Sequence, residues 1–161
     1  MRKSVFLLVV FLLCAANLHA QAKSVIVVQS FTTAADASWP YDMKQMQTQT
    51  VAELKAKVGK EFDVVAEVPT EAHGRVYTLS GEVTSWRPGN AAKRMIVGLG
   101  SGREAADLHY WITDETGEKK FEHKDTIRAE FYTNQFQGSV GQLAHPFASK
   151  IAKRVTDAKL K

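Results

Sequence analysis

The sequence predicts an α+β fold: a single domain with a mixed, mostly antiparallel sheet of about six strands and two helices packed on one face. Three observations lead there. Long stretches of period-two alternation fill the middle of the chain, from Val76 to Tyr132. Two stretches with apolar residues three or four apart, Asp42 to Val58 and Val140 to Val155, flank that middle. The order strand, helix, strand, four strands, helix places the two helices on one face of that sheet. The chain has 161 residues, and no internal repeat, linker or low-complexity tract divides it.

Arg2 and Lys3 precede an apolar run from Val5 to Ala16, and small residues follow, with Ala20-Gln21-Ala22 as an A-x-A site. A charged start, a short apolar segment and a small-residue end form the pattern of a secretory signal peptide. The run is short for a membrane span. This reading assigns residues 1–22 to a signal peptide and 23–161 to the domain, with cleavage fitting after Ala20 or Ala22. No transmembrane span is expected once the leader is removed. The expected location is periplasmic or secreted. Lipidation at Cys14 would make the protein an outer-membrane lipoprotein, but Leu13 stands where a small residue is wanted. Cys14 is the single cysteine; a mature chain without it has no disulfide, thiolate nucleophile or cysteine metal site. The formal charge is +4, or +2 without Arg2 and Lys3, too mild to argue for nucleic acid.

Each element follows from local pattern. Ser24 to Phe31 is a β-branched run and reads as a strand covered on both faces. Thr32 to Tyr41, with Pro40, reads as a loop. Asp42 to Val58 reads as a helix: Met43, Met46, Val51, Leu54 and Val58 share a face, Asp42 caps the start, and Gly59 marks the end. Phe62 to Val68 is a second strand closed by Pro69. Strand, helix and strand in this order can form a crossover onto a parallel pair. Val76 to Trp86 alternates, with Tyr77, Leu79, Gly81 and Val83 inward and Thr78, Ser80, Glu82, Thr84 and Trp86 opposite. Pro88-Gly89 suits a type II turn, and Arg94 to Leu99 reads as a further strand.

Ala106, Leu108, Tyr110 and Ile112 mark the inner face of the next strand. Asp114-Glu-Thr-Gly117 is a turn whose glycine supplies positive φ. Lys119 to Tyr132 alternates, with Phe121, His123, Ile127, Ala129 and Phe131 sharing a face. Ser139-x-x-Gln142 resembles a capping box, yet Pro146 would lie inside a helix begun there. The expected helix therefore starts afresh with Pro146 in its first turn.

Gly98, Gly100 and Gly102 alternate and, on a pleated strand, would leave one face bare for close approach. Their G-x-G-x-G spacing, followed by an alternating stretch, does not match a dinucleotide cradle, which needs G-x-G-x-x-G and a helix. With Arg87, Asn90, Arg94 and Arg103 they form the candidate binding stretch, for another envelope protein or for anionic lipid headgroups. No catalytic set and no cofactor is expected. The competing arrangement is a small periplasmic metal-binding protein or hydrolase using His109, His123 and Asp107, reached in one hairpin register. A register that puts Ile112 beside Phe121 would separate them. A third reading gives an exposed strand edge a role in self-association or strand addition.

Gly81-x-Val83, Arg87-Pro-Gly-Asn90, Arg94, Gly98-Leu-Gly100-Ser-Gly102 and Asp114-x-Thr116-Gly117 together resemble the family of small exported bacterial proteins known as domain of unknown function 4410 (DUF4410). The resemblance runs from about Val25 to the C-terminal helix. It implies an envelope protein, often a lipoprotein in that family, and brings no catalytic residues. The order of elements is also similar to that of small domains in envelope assembly proteins. The resulting expectation is an exported, non-enzymatic binding or assembly module.

Overall fold

A computed structural model describes residues 22–72, 74–90, 102–130 and 138–160. Its strands are β1 (Ser24–Val28), β2 (Thr32–Thr33), β3 (Phe62–Val65), β4 (Val76–Arg87), β5 (Ala105–Thr113) and β6 (Lys119–Arg128). Its helices are α1 (Met43–Val58) and α2 (Gly138–Asp157). The strands form one sheet in the order β3-β1-β4-β5-β6, with β2 also pairing β4. β1 runs parallel to β3 and β4, and β5 runs antiparallel to β4 and β6. The sheet is mixed, with both helices in one core against it, as the alternation and helical periodicity predict.

The core joins Ile26, Val28, Leu79, Leu108, Tyr110 and Ile112 of the sheet to Met46 and Leu54 of α1 and Leu143, Phe147, Ile151 and Val155 of α2. β1 is buried on both faces, since Val25 and Val27 are covered as well as Ile26 and Val28. That accounts for its unbroken β-branched sequence. Asp42 caps α1, its carboxylate accepting from the Lys44 and Gln45 amides. The turn at Gly117 has φ 83°, and the Gly117 amide donates to Asp114 O at 3.0 Å.

Four expectations are corrected. First, the stretch after Phe31 is not wholly loop: Thr32 and Thr33 pair with Glu82 and Val83. The chain kinks at Phe31, whose ring packs over Gly81, where a Cβ would lie 2.8 Å from Phe31 Cδ1. It then resumes along the same edge of β4. Second, β3 ends at Val65, short of Val68, in a bend at Ala66 and Glu67.

Third, α2 does not begin at Pro146; it runs unbroken through it from Gly138. A proline there leaves the carbonyl four residues earlier, that of Gln142, without its helical partner. The Glu130 amide donates to that carbonyl at 3.2 Å, so tertiary structure supplies the missing bond. Fourth, β4 carries a register shift between Val83 and Ser85. Thr84 is the extra residue of a bulge, and an inserted residue moves every later side chain to the other face. Trp86 therefore lies opposite Ala106 on the helix side, not with Thr78 and Ser80 as strict alternation predicts. The expected strand from Arg94 to Leu99 and the ends of the alternating run at Phe131 and Tyr132 lie outside the described residues.

Candidate functional site

The bulge at Thr84 decides what surrounds the root of the β4–β5 connection. Beyond it, Ser85 faces Asp107 across the ladder, and Arg87 pairs with Ala105. Arg87 and Asp107 form a two-pronged ion pair, Nη1 to Oδ2 at 2.7 Å and Nη2 to Oδ1 at 3.1 Å. The Ser85 hydroxyl donates to Oδ2 and the Thr126 hydroxyl to Oδ1. One carboxylate thus ties β4, β5 and β6 on the face away from the helices. Arg87, followed by Ser85 and Thr126, holds the Asp107 carboxyl far below the usual carboxylate range. The same bond raises the Arg87 guanidinium.

On the opposite face a second brace forms. The Glu104 carboxylate accepts from the Trp86 indole N–H at 2.7 Å and from the Tyr41 hydroxyl. Trp39, Tyr41 and Trp86 follow one another edge to face, with ring centroids 5.1 and 6.3 Å apart. The Glu104 carbonyl accepts from the Ala129 amide at 2.8 Å. These bonds tie the 34–42 connection and the ends of β4, β5 and β6 to one residue.

Of the candidate binding residues, Arg87 sits at the end of β4 with its guanidinium on Asp107. The Asn90 amide donates to the Gly102 carbonyl at 2.8 Å, so the ribbon continues past the ladder. Gly102 has φ 68°, a left-handed conformation that glycine adopts without strain. It turns the chain there and is not flat strand backbone, which corrects the pleated reading at that one position. Arg103 is half-buried beside it. A strand, β5, follows within three residues, and no helix springs from Gly102. Arg94, Gly98 and Gly100 lie outside the described residues.

The competing set does not assemble. The hairpin register places Ile112 opposite Phe121, His109 opposite Lys124, and Tyr110 opposite His123. His109 and His123 are therefore on opposite faces of the sheet, because burial of Ile112, Tyr110 and Phe121 decides the register. His109 Nε2 lies 2.7 Å from Glu122 Oε1, and Asp107 is engaged by Arg87. Among the described residues no group of three or more His, Cys, Asp or Glu is placed to hold a metal ion.

Several residues of the two braces carry no sequence signal. Glu104 and Tyr41 are 63 positions apart, and nothing local links them. Asp125 is a further case. It faces the helices, where Tyr110 Oη donates to it at 2.8 Å and Lys150 Nζ lies 2.8 Å away. Burial works against its ionisation, but Lys150 and Tyr110 keep its carboxyl below the ordinary value. Its place in the alternation Phe121, His123, Asp125, Ile127 is the signal that could have found it.

The family model for domain of unknown function DUF4410 matches residues 13–130. The chain belongs to the DUF4410 family. No curated protein matches this DUF4410 sequence. Among solved structures, a Xanthomonas campestris protein of family DUF330 superposes with a TM-score of 0.51 at 9% identity, covering 88% of this chain and 92% of its own. A hypothetical protein of Chlamydia trachomatis gives 0.50 at 8% identity, covering 83% and 96%. These two show a shared fold. The PelC dodecamer of Paraburkholderia phytofirmans aligns at 0.45 and 16% identity, over 78% of this chain and 85% of its own. Among the described residues of the DUF4410 chain, no helix is long and apolar enough to cross a membrane.

Proposed function

We propose that this DUF4410 protein is an exported, non-enzymatic envelope protein, a binding or assembly module whose contact region is the connection between β4 and β5. The leader pattern of residues 1–22 supports export to the periplasm or beyond. The observation that carries the reading is the double brace at the ribbon's root. Arg87–Asp107 clamps one face, and Trp86–Glu104–Tyr41 clamps the other. Residues held this firmly on both faces give up little conformational freedom when a partner docks beside them, and affinity rises by that saving. In this reading Arg87 positions the ribbon, while Asn90, Arg94, Gly98, Gly100, Gly102 and Arg103 meet the partner. The partner is another envelope protein or a surface of anionic lipid headgroups.

Two measurements test this. Cell fractionation with N-terminal sequencing is expected to find the mature chain outside the cytoplasm, beginning at Gln21 or Lys23. Capture from envelope extract, run beside flotation with phosphatidylglycerol vesicles, is expected to retain a partner or the vesicles with the intact chain. Gly100→Val and Arg103→Glu are expected to lose that retention. If the intact protein retains neither, the proposal is wrong.

A further inference from the structure

The sheet has two edges, β3 and β6, and they are built differently. β6 is ten residues long and carries Lys119, Lys120, Glu122, Lys124, Asp125 and Arg128, the charged dress that keeps an edge from pairing. β3 is the four residues Phe62-Asp-Val-Val65. It pairs with β1 in an unbroken register from Ser24–Phe62 to Val27–Val65, without bulge, proline or lysine. Its other edge meets no strand among those described. Open hollows of about 450 and 470 Å³ flank it, one lined by Val65, Pro69 and Ala72 and the other by Lys60, Glu61 and Phe62. Just beyond it Val68 is 66% exposed, the large apolar side chain that stands out among the described residues.

We infer that the β3 edge receives an extended segment of a partner polypeptide, added as a further strand, and that this segment is basic on its outer face. Strand addition takes its affinity from backbone bonds and its specificity from alternate side chains. Phe62 and Val64 are turned into the core. The outer row of β3 is Asp63 and Val65, with Glu61 just before the strand and Glu67 in the bend just after it. Glu61, Asp63 and Glu67 are exposed, and among the described residues none is in an ion pair. Of the lysines nearby, Lys23 has its ammonium on the Gly59 carbonyl, and Lys55 and Lys60 border the hollows.

The same row disfavours a second copy of this chain. Two copies joined at this edge about a two-fold axis pair antiparallel with their helices on one side. Centring the pair on Phe62 sets Glu61 against Asp63. Centring it on Asp63 sets two Asp63 carboxylates together. Both registers place like charges directly opposite, which destabilises a strand pair. A strand with Lys or Arg at alternate positions meets the row with opposite sign. This surface is independent of the ribbon proposed above, and either can fail alone.

The probe is a short peptide of alternating lysine and valine, with alternating glutamate and valine as control. Hydrogen exchange on the full mature chain should show the lysine peptide protecting amides of residues 61–67 while the glutamate peptide protects none. Asp63→Lys, at an exposed site that keeps the fold by circular dichroism, should weaken binding about tenfold. Methylating alternate amides on the peptide's pairing edge should abolish it. The inference is overturned if the lysine peptide fails to bind, protects β6 instead, binds Asp63→Lys equally well or tolerates methylation. A dimer joined through β3 in sedimentation and cross-linking also overturns it.

Discussion

Gly81 and Asp107 show how single positions carry this structure. A Cβ on Gly81 would sit 2.8 Å from Phe31 Cδ1 and 3.1 Å from the His109 carbonyl. Phe31 cannot simply swing away, because its ring packs edge-on against Phe147 with centroids 5.3 Å apart. Gly81→Ala should therefore lower stability by about 1–3 kcal/mol, the usual range for overpacking, as read by urea denaturation. Asp107 contributes to acid sensitivity. Its folded carboxyl titrates below the ordinary aspartate value, so its contribution is complete above about pH 3.9 and is lost as pH falls toward the folded value. Asp107→Asn should cost about 1 kcal/mol near neutral pH, since the Arg87 side chain is 54% exposed and solvent screens the pair. Thermal melts on acidification should show the variant losing less further stability than the wild type. An equal acid slope in both would contradict the assignment.

At the scale of elements, the instructive case is α2. Its apolar positions Val140, Leu143, Phe147, Ile151 and Val155 are all buried, and that spacing was readable. Pro146 argued for a later start, because an interior proline is costly in an isolated helix. The cost is met here from outside the helix, by the Glu130 amide on the Gln142 carbonyl. Pro146→Ala gives the helix an N–H of its own for that carbonyl. The variant should keep or raise overall stability while the Glu130 amide exchanges faster with solvent. Unchanged exchange at Glu130 would show that the bond across to α2 has no such role. β4 teaches the complementary lesson. Its inner face to Val83 follows from alternation, but Thr84 has no side chain that announces a bulge. Trp86 and Arg87 consequently exchange faces relative to the simple pattern, and both braces depend on that exchange.

For the whole molecule, one apolar core fastens two helices to one face of a sheet, and polar ties run across the layers. Lys150 on α2 and Tyr110 on β5 meet at Asp125 on β6. The Asp125 side chain is 14% exposed and that of Lys150 41%. Lys150→Met should cost about 1–2 kcal/mol, less than a fully buried broken pair because the ammonium is partly hydrated. Unfolding should remain one transition by both circular dichroism and tryptophan fluorescence, as befits a single core. Separate transitions would mean that the layers unfold independently.

Local order came from residues close in the chain. The pleat makes alternate side chains share a face and the helix makes every third or fourth do so. That is enough to read the helices, the inner faces of β4, β5 and β6, the cap at Asp42 and the turn at Gly117. Partners far apart in the chain leave no such trace. The strand order, the short β2, the bulge at Thr84, the bond from the Glu130 amide to the Gln142 carbonyl, and the meeting of Tyr41 with Glu104 arise only when the sheet closes. Each depends on which surfaces can be buried together, and that choice is made by packing in three dimensions.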